Sequence, residues 1–108
     1  MLNMQTVGET MIVSLDRDLD MVEAKNFKDT VDTFLLLNPQ IKILQINLAD
    51  VTFIDSSGLG AIIGRYKNIS LRQGSLVITN ASDNVRRILE MAGLKKLLET
   101  KKAKKEVL

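Results

Sequence analysis

The sequence predicts a small α/β domain with a mixed, mostly parallel sheet and with its helices packed mainly on one face. Segments with strand-like alternation of apolar residues are separated by segments with apolar residues at three- and four-residue steps, an order typical of parallel strands joined by helical crossovers. Predicted strands keep polar residues at alternate positions, such as Gln45 and Asn47, whereas strands covered on both faces are apolar throughout. A chain of 108 residues is expected to form one domain, with a lysine-rich tail from about residue 99 to 108.

The first elements are a predicted β-hairpin and an amphipathic helix. Residues 4–7 and 11–15 are predicted strands on either side of the turn formers Gly8-Glu9. An acidic loop, residues 16–20, leads into a helix from residue 21 to about 36. Asp20 is expected to cap this helix in a capping box with Glu23, and Asn38-Pro39 ends it.

Two further strand–helix pairs follow. Residues 41–48 are a predicted strand, and a turn then leads into a helix that ends at about residue 71, with Gly74 in the left-handed cap position. Residues 75–79 are the next strand. Asp83 is expected to cap the third helix, Gly93 closes it, and residues 94–98 form a final short element.

Composition excludes several classes of site. The chain has no cysteine and no histidine, so thiolate chemistry, the usual general base and the usual metal ligands are absent, and no metal or cofactor is expected. No apolar run is long enough for a membrane span, and no signal peptide is evident, so the cytoplasm is the expected location.

The charged residues are unevenly distributed. Residues 1–55 carry four basic and nine acidic side chains, and residues 56–108 carry eleven basic and four acidic. Four of the lysines lie in the terminal run, which is expected to be a solvated tail. With one tyrosine, three phenylalanines and no tryptophan, the chain offers no stacking platform beside them, and no nucleic-acid partner is expected.

The turn at residues 51–60, Val-Thr-Phe-Ile-Asp-Ser-Ser-Gly-Leu-Gly, is the most informative stretch. A short side-chain oxygen at a helix start accepts a bond from the unpaired N–H groups of the first turn. From spacing alone these residues are a helix start with an exposed hydroxyl, and Ser57 is assigned to capping.

Together with Gly64-Arg65-Tyr66-Lys67, this stretch resembles the signature of the anti-sigma factor antagonists, small proteins built on the STAS fold. The resemblance implies that Ser56 is phosphorylated by an anti-sigma factor that is itself a serine/threonine kinase with a histidine-kinase-like ATPase fold. The unphosphorylated form would bind this kinase and so release a sigma factor, and a phosphatase of the PPM type would restore it. The protein would then be a substrate and not an enzyme.

The resemblance also implies a partner-binding surface. Loops that follow parallel strands gather at one edge of the sheet, and the surface there is assigned to Asp20, Asp55, Ser57, Gly58 and Leu59.

One position departs from the family pattern. Arg17 stands where relatives usually carry a glycine, and an arginine does not easily take positive φ. Arg17 and Asp18 are therefore assigned as local modulators. The Arg17 guanidinium is expected near Ser56, where it could pair with Asp55 or with a phosphate.

Three alternative functions fit parts of the sequence. The first is a STAS binding subunit of a signalling scaffold or transport complex, with Ser56 unmodified. A nucleotide-binding enzyme is disfavoured because the glycine spacing is one residue too long for the dinucleotide fingerprint; Gly60 and Gly64 are instead expected to form a smooth face against the sheet. A serine hydrolase is disfavoured further, because the nucleophile elbow is absent and the chain has no histidine to activate a serine.

Overall fold

The sheet of this protein, described by a computed structural model for residues 2–99, has four strands and is covered by helices on one face. In chain order the elements are β1 Leu2–Val7, β2 Thr10–Leu15, α1 Met21–Leu37, β3 Ile43–Asn47, α2 Ser56–Leu71, β4 Ser75–Thr79, α3 Asp83–Met91 and a short 3-10 helix, Lys95–Leu97. The predicted order of strands and helices is confirmed. The terminal lysine run lies outside the described residues, so its predicted character stays a prediction.

The sheet is mixed, as the sequence predicted. The strand order is β1-β2-β3-β4; β1 and β2 form an antiparallel hairpin, and the other two pairs are parallel. Met11, Leu44 and Leu76 lie in register on the face that packs against the helices, and all three are buried. Their neighbours Ile12 and Gln45, on the other face, are only half-buried. This alternation confirms that the helices pack mainly on one face.

The α2–β4 connection corrects one sequence expectation. Gln73, not Gly74, takes the left-handed conformation, with φ of 62°. Gly74 is needed for space, because a Cβ there would overlap the Lys42 carbonyl oxygen. The Gly74 N–H donates to Ile69 O at 2.9 Å and the Ser75 N–H to Lys42 O at 2.8 Å. The helix end is thus fixed against the strand beside it.

The helix starts are partly as predicted. Asp20 caps α1, since its Oδ1 accepts from the Glu23 N–H at 2.9 Å. Glu23 does not complete the capping box: it is 5% exposed, and among residues 2–99 its Oε2 has no hydrogen-bond partner. The cap of α3 is Ser82 and not Asp83, because Ser82 Oγ accepts from the Val85 N–H at 3.2 Å.

Gly60 and Gly64 do not press against the sheet, so that expectation is wrong. Gly60 is exposed, Gly64 is half-buried, and a Cβ at either position would meet no atom within 4 Å. Gly58 is the residue of α2 that allows close packing. Within residues 2–99, no helix combines the length and apolar character needed to cross a membrane.

Candidate functional site

Ser56 is the first residue of α2 and is exposed. The residue before it, Asp55, is the N-cap: its backbone is extended, and its Oδ1 accepts from the Gly58 N–H at 2.9 Å. The Asp55 carbonyl accepts from the Leu59 N–H at 2.9 Å and begins the helix. The hydroxyl of Ser56 therefore stands at the positive end of a 16-residue helix, where backbone dipoles favour an anion.

The loop before α1 and the loop before α2 are joined by backbone hydrogen bonds. The Leu19 N–H donates to Phe53 O at 3.2 Å, and the Asp55 N–H donates to Leu19 O at 3.4 Å. Leu19 itself is fully buried. This short parallel bridge brings the two N-caps, Asp20 and Asp55, to the same edge of the sheet, as the sequence predicted.

Asp18 holds the second loop in place. Its Oδ1 accepts from the Thr52 N–H at 2.7 Å and from the Phe53 N–H at 3.2 Å, and both its oxygens contact Thr52 Oγ1 at 2.9 Å. The Thr52 backbone N–H, more than any other cause, lowers the pKa of Asp18 below its ordinary value of 3.8. The carboxylate is thus committed to loop structure, although sequence alone assigned it to the surface as a local modulator.

Gly58 allows α2 to begin against the Leu19 loop. A Cβ at this position would lie 2.5 Å from Leu19 O and 2.7 Å from Ile54 Cγ2. Real Cβ atoms do not approach other atoms so closely. Gly58 is buried, so it contributes to the site as a spacer rather than as a contact surface.

The third loop is attached to the same edge by amide side chains. Asn84, in the first turn of α3, donates from Nδ2 to Thr52 O at 3.0 Å. Asn80 Nδ2 donates to Asn47 Oδ1 at 3.1 Å. The start of α3 is therefore fixed to the loop that carries Ser56.

Arg17 does not pair with Asp55, which corrects the sequence expectation. Its Nε contacts Asp16 Oδ1 at 3.1 Å, and this hydrogen bond raises the pKa of Arg17. Arg17 is absent from the non-glycine residues with positive φ, so the loop forms without the left-handed conformation that a glycine would favour. The side chain lines a cavity with Leu2 and Glu23, beside the first strand.

Ser57 is not the cap of α2, because Asp55 fills that role. Ser57 is half-buried, as is Leu59. The assignment of Ser57 to helix capping is therefore wrong, and its assignment to partner binding stays a prediction.

Sequence reasoning missed three exposed apolar side chains at this edge. Met21 is 70% exposed, Val22 is 72% exposed and Phe53 is 51% exposed. Met21 and Val22 open α1 outside its apolar stripe, and Phe53 precedes the helix that carries Ser56. Clustered exposed apolar residues mark protein interaction surfaces. The signal was available in the sequence as apolar residues that fit neither the strand nor the helix period.

The fold, with an exposed serine at the capped start of α2, can now be compared with known families. The STAS domain model matches residues 1–107, and the chain belongs to the STAS domain family. A relative named anti-sigma-B factor antagonist, from Listeria monocytogenes serovar 1/2a, is 31% identical over 93 residues, covering 83% of this chain and 77% of the relative. An anti-sigma F factor antagonist from Paenibacillus polymyxa is 33% identical over 88 residues, covering 82% and 74%.

Solved structures show the same fold. A protein from Thermotoga maritima superposes with a TM-score of 0.82 at 28% identity, over 98% of this chain and 93% of that one. The antagonist SpoIIAA in its unphosphorylated form superposes with a TM-score of 0.82 at 22% identity, over 99% and 96%. The second likeness shows the fold alone.

Proposed function

We propose that this protein is an anti-sigma factor antagonist whose binding to an anti-sigma factor is switched off by phosphorylation of Ser56. The observation that carries the proposal is the exposed Ser56 hydroxyl at the capped start of α2, on an edge that also exposes Met21, Val22 and Phe53. Relatives that share most of this chain are named as antagonists of anti-sigma factors. The unmodified edge would dock the anti-sigma factor and free the sigma factor.

The geometry supports a switch that leaves the fold intact. A phosphoryl group adds close to two negative charges. Among residues 2–99, no acceptor is found for the backbone N–H groups of Ser56 and Ser57, and such groups at a helix N-terminus are ready donors to an anion. A partner that had buried this edge would meet a new desolvated charge beside Asp20 and Asp55. Such a juxtaposition costs several kcal/mol of binding free energy.

In this scheme, partner proteins add and remove the phosphoryl group. The anti-sigma factor would be a serine/threonine kinase with a histidine-kinase-like ATPase fold, and a PPM-type phosphatase would remove the phosphate. In this scheme the chain is a binding protein and a substrate, and it acts in the cytoplasm because its partner governs transcription. Asp20, Asp55, Ser57 and Leu59 would contact the kinase, while Gly58 allows the surface to form.

A role as an unmodified STAS subunit of a transport complex has support only from the fold. The domain superposes on part of the murine anion transporter Slc26a9 with a TM-score of 0.72, at 16% identity. The relatives named as anti-sigma factor antagonists are more similar in sequence to this chain than the transporter is, and the match covers most of their length. We therefore prefer the switch.

The test is intact-mass measurement and peptide mapping after incubation with ATP and each histidine-kinase-like anti-sigma factor of the source organism. We expect one phosphoryl group on Ser56 and none on Ser56→Ala. Ser70→Ala, an exposed serine in the last turn of the same helix, is the matched control and should still accept it. Binding of the unmodified and phosphorylated forms to the same kinase is then compared by calorimetry.

Two results would contradict the proposal. One is modification of Ser57 in place of Ser56. The other is equal affinity of the phosphorylated and unmodified forms. Circular dichroism of the phosphorylated form should match that of the unmodified form, and a loss of helix on phosphorylation would contradict a switch confined to the surface.

A further inference from the structure

An open groove runs between α1 and α2, starting beside the edge of the sheet that carries Ser56. Its volume is about 370 Å³. Met21 and Ala24 of α1 line one side, and Ser57 and Ala61 of α2 line the other. Because Ser57 belongs to the first turn of α2, the groove continues from the Ser56 edge along the helix pair.

Two glycines line this groove, although the fold does not require glycine at either position. Gly60 and Gly64 lie inside α2, where glycine weakens a helix relative to alanine. Neither has positive φ, and a Cβ at either would meet no atom within 4 Å. Gly58, by contrast, is required by its contact with Leu19. The fold would accept alanine at positions 60 and 64, and the lack of side chains at these positions leaves the groove open.

The groove has a positive wall. Lys25 and Lys28 line it, with side chains that are 79% and 57% exposed. They share one carboxylate, Asp29, at 2.9 Å and 3.9 Å respectively, so the wall keeps a surplus of positive charge. This charge would attract an acidic segment.

A buried cation also lines the groove. Arg65 is 6% exposed, with its Nε 2.8 Å from Asp32 Oδ1 and its Nη1 donating to Ala61 O at 3.2 Å. The Nε–H is not aligned with the Asp32 carboxylate, and it has no hydrogen-bond acceptor among the described residues. The groove therefore combines an apolar floor with a positive wall, and the charge of Arg65 at its base is offset by Asp32.

We infer that this groove docks an acidic segment of the anti-sigma factor, with one apolar side chain of that segment seated over Gly60 and Gly64 and a carboxylate beside Lys28. The inference rests on the proposed function, because it gives the same partner a second contact region. It predicts that affinity depends on residues two helical turns away from Ser56.

The experiment measures the affinity of the unmodified chain for the anti-sigma factor kinase of the source organism by calorimetry. Gly64→Ala places a methyl group in the groove and should raise the dissociation constant at least fivefold, and Gly64→Leu should raise it further. Ser70→Ala, in the last turn of the same helix and outside the groove, is the matched control and should leave it unchanged. The melting temperature of Gly64→Ala should equal or exceed that of the native chain.

A change of charge on α1 gives a second test and leaves the residues of α2 as they are. Lys28→Glu should weaken binding at least tenfold at low salt, whereas Lys95→Glu makes the same charge change on the 3-10 helix and should not. Unchanged affinity of Gly64→Leu and Lys28→Glu, with tight binding by the native chain, would overturn the groove inference alone. Absence of binding by the native chain to every such kinase would overturn both the inference and the proposed function.

Discussion

Gly58 packs directly on the backbone of Leu19, with its α-carbon placed so that a Cβ would lie 2.5 Å from the Leu19 carbonyl oxygen. The same carbonyl accepts from the Asp55 N–H at 3.4 Å. The helix that carries Ser56 and the loop that carries Asp20 therefore share one backbone contact. Their relative position is fixed by the absence of a side chain at residue 58.

Replacement of Gly58 should therefore be costly. We expect Gly58→Ala to lower the free energy of unfolding by about 1–3 kcal/mol, because overpacking forces neighbouring atoms to move. Urea denaturation measures the change. Gly60→Ala, two residues along the same helix with open space around it, is the control and should raise stability by about 0.5–1 kcal/mol. Equal effects of the two changes would contradict the contact.

The cap of α2 can be assigned by mutation. Asp55→Ala removes the oxygen that accepts from the Gly58 N–H at 2.9 Å, and we expect a loss of about 1 kcal/mol in the free energy of unfolding. Ser57→Ala should change it by less than about 0.5 kcal/mol, the usual range for substitutions that break no special interaction. Thermal and urea unfolding of the two variants should agree. A larger loss for Ser57→Ala would return the cap to that residue.

The hydrogen bonds that Asp18 accepts should make the stability of the fold depend on pH in the acid range. Hydrogen bonds from Thr52 and Phe53 favour the ionised carboxylate and lower the pKa of Asp18 from 3.8. A group with a lowered folded-state pKa stabilises the fold above its unfolded value, and this contribution is lost as the pH falls through the folded value. The native chain should thus be more stable than Asp18→Asn well above pH 3.8, and the difference should shrink below it.

The measurement is urea denaturation of both chains across the acid range. Asp50→Asn is the control, since Asp50 is exposed and no hydrogen bond to its side chain is found in residues 2–99. A difference between the native chain and Asp18→Asn that stays constant with pH would show that the carboxylate charge is not involved.

The order of strands and helices was predictable because it depends on local periodicity. Strand alternation and helical spacing give the type of each element, and the observed β4, Ser75–Thr79, has the predicted bounds. Caps within one turn of sequence, such as Asp20, were also predictable. The edge of the sheet on which the loops meet followed from the parallel order of the strands.

Contacts between distant residues were not predictable. Asp18 bonds to a loop 34 residues away, and nothing in its neighbourhood distinguishes it from a solvated acid. Gly74 is required by the Lys42 carbonyl of another strand, so sequence reasoning assigned it to the left-handed position that Gln73 occupies. The open groove at Gly60 and Gly64 is likewise a property of two packed helices. The sequence shows which residues are glycines, but only the packing of the neighbouring element shows whether the fold requires glycine there.

Arg72, at the end of α2, should be among the most costly polar residues to replace. Its Nη2 donates to Leu35 O at 2.8 Å, and its Nη1 donates to Asn38 O at 3.1 Å and to Ile41 O at 3.3 Å. The Leu35 carbonyl also accepts from the Asn38 N–H at 3.3 Å, and the Asn38 carbonyl accepts from the Ile41 N–H at 3.1 Å. Arg72 therefore adds a charged donor to each of these carbonyls at the end of α1. One guanidinium thus donates to carbonyls on both sides of the turn at residue 39.

We expect Arg72→Met, which keeps much of the apolar stem, to lower the free energy of unfolding by about 1–3 kcal/mol, since partly buried carbonyls lose charged donors. Urea denaturation gives the total, and amide hydrogen exchange should show the loss concentrated at the end of α1. Arg87→Met is the matched control: Arg87 is exposed on α3, and no ion pair is found for it in residues 2–99. If both variants lost less than about 0.5 kcal/mol, the three bonds would add nothing to the fold beyond an ordinary surface substitution.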